Sequence, residues 1–134
     1  MPTIYTEYLG ELRTKARHIA SGDELVTDAP VDNNGRGEAF SPTDLLATAL
    51  GSCMITITAM KAQENGFSVD GTTIGITKIM ASDPRRVAEV IAELNFPKNN
   101  YSEAQKSIIR DACLTCPVYL SLHTELKKSV VFNF

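Results

Sequence analysis

Ser41-Pro42-Thr43-Asp44-Leu45-Leu46-Ala47-Thr48-Ala49-Leu50-Gly51-Ser52-Cys53-Met54, continued to Glu64 and closed by Asn65-Gly66, decides how this chain folds. Ser41 is a good N-cap, Pro42 suits the first helical position, and Asp44 follows the cap by three residues. Asn65-Gly66 supplies a left-handed stop. A helix is therefore expected from about Pro42 to Glu64. Its first two-thirds are apolar or small on nearly every side, which predicts a buried central helix. So long an apolar helix in a short chain is hard for one copy to bury, so a homo-oligomer is expected.

The flanks read as strands and shorter helices. Upstream, Thr3 to Leu9, Leu12 to Ile19 and Glu24 to Asp28 are strands, separated by turns at Gly10 and Ser21-Gly22-Asp23. Residues 32–37 (Asp-Asn-Asn-Gly-Arg-Gly) form a loop. Downstream, Phe67 to Met80 is rich in β-branched residues. Arg86 to Phe96 alternates, with Ala88, Val90, Ala92, Leu94 and Phe96 on one face, and the two make an antiparallel hairpin. Ser102 and Gln105 form a capping box that opens a helix to about Ala112. A short helix runs from Pro117 to about Lys127, and Ser129 to Phe134 is a last strand. The order βββ-α-ββ-αα-β describes one α+β domain over residues 1–134 with antiparallel sheets.

Composition narrows the function. The 134 residues carry 13 Lys+Arg against 16 Asp+Glu, a net charge of −3. No basic footprint for nucleic acid and no basic amphipathic helix for a membrane surface is visible. The longest apolar run, Leu45 to Met60, is broken by Thr48, Gly51, Ser52, Thr56 and Thr58. No signal-type segment opens the chain, and a cytoplasmic location is the expectation. The odd count of cysteines, 3, excludes a full disulfide framework.

Each cysteine has its own setting. Cys53 sits mid-helix with Leu46, Ala49, Leu50, Thr56 and Ile57 on its side, an apolar environment that raises a thiol pKa. To act as a nucleophile it needs a cation from elsewhere in the fold. Arg13, Lys15 and Arg17 alternate on one strand face, which is either solvated or sends one of them inward to a thiol. Cys116 stands before Pro117 as an N-cap, where orphan N–H groups favour a thiolate. Cys113 and Cys116 form C-x-x-C, open to redox or metal readings. His123, seven residues after Cys116, is expected on the same helical face, either near the site or solvated.

The stretch from Ser41 to Cys53, followed 63 residues later by Cys116-Pro117-Val118-Tyr119, resembles the OsmC/Ohr family of osmotically inducible and organic hydroperoxide resistance proteins. The resemblance extends through the expected order of elements. It implies an intertwined homodimer and a cysteine-based peroxidase acting on organic hydroperoxides, and less well on hydrogen peroxide. It implies Cys53 as the peroxidatic cysteine, Cys116 as the resolving one and an N-terminal arginine, Arg17 ahead of Arg13, as the group that stabilises the thiolate. A dithiol such as a lipoylated protein would reset the pair. No cofactor, metal, nucleic acid or membrane partner is expected. Ohr-type members carry a glutamate where this chain has Thr43. Here the acid falls at Asp44, as in a broader OsmC-like branch. The rival readings are a small-molecule binding module lined by Cys53, and a thiol or metal sensor built on Cys53, Cys113 and Cys116.

Overall fold

The computed structural model describes all residues 1–134. The chain divides into two compact units, residues 1–46 and 47–134. The first is an antiparallel meander of β1 (Ile4–Gly10), β2 (Arg13–His18) and β3 (Glu24–Asp28). Its registers align Tyr5, Arg17 and Glu24 across the three strands. Leu12, expected in β2, instead lies in the β1–β2 turn with Glu11, at φ 62° and 54°. Asp28 is fully buried at the end of β3. It anchors the following loop: its carboxylate accepts the Glu38 N–H at 3.0 Å, and its own N–H donates to the Phe40 carbonyl. Gly35 is obligatory in that loop, because a Cβ there would fall 1.7 Å from the Ala29 carbonyl oxygen.

Helix α1 (Pro42–Glu64) has the expected bounds. Ser41 and Asp44 cap it reciprocally. The Asp44 N–H donates to Ser41 Oγ at 3.1 Å, and the Ser41 N–H donates to the Asp44 carboxylate at 2.9 Å.

Only Ala47, Leu50, Gly51, Met54, Thr58 and Ala62 are buried, a stripe at helical spacing, while Met60 is 52% exposed. By length and composition alone the 23-residue helix could also cross a membrane, despite the polar interruptions read in the sequence. Its stripe packs instead on β4 (Thr73–Ala81), where a Cβ on Gly51 would approach Ile76 Cδ1 to 2.7 Å. One side of the helix is thus a core face, and the missing side chain at residue 51 permits the close approach.

The second unit contains β4 (Thr73–Ala81), β5 (Arg86–Asn95) and β6 (Lys127–Asn133), with β5 in the middle. Residues 67–72, expected to begin β4, form a turn instead. The Asp70 N–H binds Ser68 Oγ at 3.0 Å, and Gly71 takes φ 91°. The alternation of β5 holds: Val90, Ala92, Leu94 and Phe96 are buried. Phe96 stacks on Phe134 with centroids 5.1 Å apart, and Tyr101 meets both rings edge-on.

The β5–β6 pair is parallel, which corrects the expectation of purely antiparallel sheets. Its cause is the intervening α2 (Glu103–Leu114) and α3 (Pro117–Ser121), a helical crossover that returns the chain to the end of the sheet where β5 began. Helix α2 opens on the expected Ser102–Gln105 capping box.

Candidate active site

Two elements bring two sulfurs together. Cys53 is half-buried near the middle of α1, and Cys116 is fully buried at the N-cap of α3. The two side chains are neighbours, close enough for Cys53 to raise the Cys116 thiol. The helix break at Leu114-Thr115-Cys116-Pro117 makes this possible. Thr115 leaves the helix at φ −127°, and Cys116 is extended, with φ −67° and ψ 151°. Pro117 then fixes the first position of the next helix.

The capping expectation for Cys116 holds in geometry but not in ionisation. Its Sγ accepts the Tyr119 N–H at 3.4 Å. Burial nevertheless pushes the thiol above its ordinary value. The Tyr119 hydrogen bond opposes that shift, and the adjacent Cys53 adds to it. The low-pKa cap expected from sequence is therefore corrected. A sulfur acceptor in a five-residue helix gains little from aligned dipoles, and full desolvation outweighs it.

Cys113 stands on α2, fully buried, 3.2 Å from Thr58 Oγ1 of α1. Burial raises its thiol, the Thr58 hydrogen bond opposes, and the nearby Cys116 adds to the rise. Thr58 was missed by reading for chemistry. Its signal was its place on the 47/50/54/58 stripe, a hydroxyl on an otherwise apolar face. That hydroxyl donates to the Met54 carbonyl at 2.7 Å.

The arginines belong to the first unit. Arg13 Nε lies 3.2 Å from the buried Asp28 carboxylate, so its charge balances a buried acid. Arg17 is exposed on β2 and lines an open depression of about 490 Å³ with Tyr5, Glu7, Lys15, Ile19 and Glu24. His123 does not share a helical face with Cys116. Helix α3 ends at Ser121, Leu122 is extended, and His123 Nδ1 accepts the Glu125 N–H in an exposed turn.

A family model described as OsmC-like protein matches residues 35–130. The chain belongs to the OsmC-like family. That match spans the helix bearing Cys53, the hairpin and the segment bearing both Cys113 and Cys116. The OsmC-like chain is also similar to solved structures. A Psychrobacter arcticus protein, provisionally described as an osmotic stress induced and detoxification response protein, is 47% identical. Its TM-score is 0.94, over 99% of this chain and 96% of that one. An organic hydroperoxide resistance protein OsmC from Legionella pneumophila shares the fold at 15% identity and TM-score 0.78, over 100% and 98% of the two chains. One from Elizabethkingia anophelis, with thiocyanate bound, does so at 13% and 0.73, over 99% and 96%. No curated protein matches the sequence. The two-sheet α+β architecture is thus that of OsmC and Ohr proteins.

Proposed function

We propose that this protein is a cytoplasmic thiol-dependent peroxidase that reduces organic hydroperoxides, and hydrogen peroxide less well. The closeness of the half-exposed Cys53 to the sealed Cys116 carries the reading. The Cys53 thiolate attacks one peroxide oxygen, the O–O bond breaks, and an alcohol leaves. Cys53 is then a sulfenic acid. Cys116 attacks that sulfur, water leaves, and a Cys53–Cys116 disulfide forms. A dithiol reductant such as a lipoylated protein exchanges with it and restores both thiols.

The family resemblance is what assigns Arg17 as the cation for the Cys53 thiolate, and Arg13 is paired with Asp28. Ala49, Ile57 and Met60, on the Cys53 side of α1, give an apolar approach that suits an alkyl chain. A second copy of the chain completes the molecule. Ile4 and Tyr8 share one face of β1 and are 57% and 64% exposed, an apolar area that a homodimer would cover.

Turnover of cumene hydroperoxide with dihydrolipoamide tests the reading. The wild-type protein is expected to be active, and Cys53→Ser to lose activity to background. Undiminished turnover by Cys53→Ser would overturn it. Sedimentation as a single 134-residue chain would overturn the dimer.

A further inference from the structure

Cys113 is the thiol that the peroxidase scheme leaves unused. It is as deeply buried as Cys116, three residues from it, and its sulfur contacts a hydroxyl rather than an apolar wall. We propose that Cys113 is a third redox thiol, which takes over Cys116 from Cys53 by internal disulfide exchange and leaves a buried Cys113–Cys116 disulfide. The proposal rests on the peroxidase reading for the origin of the first disulfide.

Geometry permits the bond. Cys113 and Leu114 are helical, and Thr115 departs only to φ −127°, ψ 15°. Three residues across such a turn put the Cα atoms roughly 5–6 Å apart, within the span that a disulfide bridges. Thr58 supplies the activation. Its Oγ1 hydrogen now points to the Met54 carbonyl at 2.7 Å, while the oxygen stands 3.2 Å from Cys113 Sγ. Rotation about the Cβ–Oγ bond hands that hydrogen to a Cys113 thiolate, the one polar group that offsets its burial.

The step balances without any outside reagent. Cys113 gives up its proton, and its sulfur attacks Cys116 Sγ. The Cys53–Cys116 bond breaks, and its electron pair leaves on Cys53, which takes up a proton. No net oxidation occurs, because the hydroperoxide already supplied the oxidising equivalent. Direction follows from burial. The starting disulfide leaves its free thiol in the sealed Cys113 position. The product leaves it at half-exposed Cys53, where water solvates a thiolate, and the buried disulfide carries no charge to desolvate. Cys53 is then re-armed, and one chain accepts a second peroxide before any reductant arrives.

The test follows which thiol stays free. Reduced full-length protein receives one equivalent of cumene hydroperoxide, is labelled with N-ethylmaleimide at intervals under native conditions, and is mapped by peptide mass. Cys53 labelling is expected to vanish at once and then to recover about tenfold over minutes, as an intramolecular exchange allows. The Cys113–Cys116 cross-link appears in step. In Cys113→Ser, Cys53 is expected to stay blocked. Thr58→Val is expected to slow the recovery about fivefold, the loss of one hydrogen bond, and Thr58→Ser to restore it.

A Cys53–Cys116 bond that persists for hours with Cys113 as the sole thiol would overturn the exchange while sparing the peroxidase. An independent arm removes the dependence on peroxide: Cys53→Ser treated with diamide is expected to close the Cys113–Cys116 bond. Failure of that closure overturns the proposal. If it closes while wild type loses no thiol to peroxide, the peroxidase reading alone falls, and Cys113 stands as a redox thiol.

Discussion

Closure of the Cys53–Cys116 disulfide is expected to accelerate with pH, because Cys116 is a buried nucleophile. The thiolate is the form that attacks a sulfenic acid. Cys116 has no exposed surface, and burial lifts its thiol above the ordinary value despite the Tyr119 N–H at 3.4 Å. A thiol raised in this way is almost wholly protonated at pH 7, and its thiolate fraction grows about tenfold per pH unit. The closure rate is therefore expected to climb about tenfold per unit from pH 6 to 8.5, without levelling near neutrality. Stopped-flow mixing with one equivalent of hydroperoxide, quenched by dimedone at set times, separates sulfenic acid from disulfide. The sulfenic acid is expected to survive longest at low pH. A closure rate unchanged between pH 6 and 8 would mean that the capped sulfur is already ionised at neutrality. The balance of burial over hydrogen bonding argued for Cys116 would then be wrong.

The same burial has a stability consequence. Folded-state thiols of raised pKa keep protons that the unfolded chain releases, so stability is intact below the unfolded value and falls as pH rises past about 9. Urea melts from pH 7 to 10 are expected to show that loss, with a shallower slope in Cys113→Ala. Leu50→Ala, which empties a fully buried site on the core stripe of α1, is expected to cost about 3 kcal/mol in urea unfolding. Arg13→Ala leaves the Asp28 carboxylate buried without its cation. A loss on the order of 2–3 kcal/mol is expected, below the range for a sealed pair because the Arg13 side chain is 28% exposed. Faster proteolysis in the 29–40 loop, which Asp28 anchors, is expected to accompany it.

Some of this was readable because the signals are local. The Ser41 cap with Pro42, and Asn65-Gly66 at the far end, gave both bounds of α1. The Ser102–Gln105 box marked the start of α2, and Pro117 placed Cys116 at a cap. The β5 alternation named its three buried residues, and Phe96 just beyond it, correctly. Other features were hidden because they are decided at a distance. The direction of β6 depends on where two helices return the chain, not on its own residues. The length of α3 was overread because its residues favour a helix up to Lys127, while the chain turns extended at Leu122 to reach β6.

The sequence by itself determined the elements, the face of β5 that goes inward and the two cysteines worth watching. Propensity, capping and periodicity act over a few residues, and a one-dimensional string records them in full. Only the tertiary structure decided that Cys53 neighbours Cys116, that Thr58 attends Cys113, and that Arg13 serves Asp28. It alone also turned Cys116 from an activated cap into a protonated, buried thiol. Desolvation depends on what surrounds an atom in space, and that is set by residues tens of positions away in the chain.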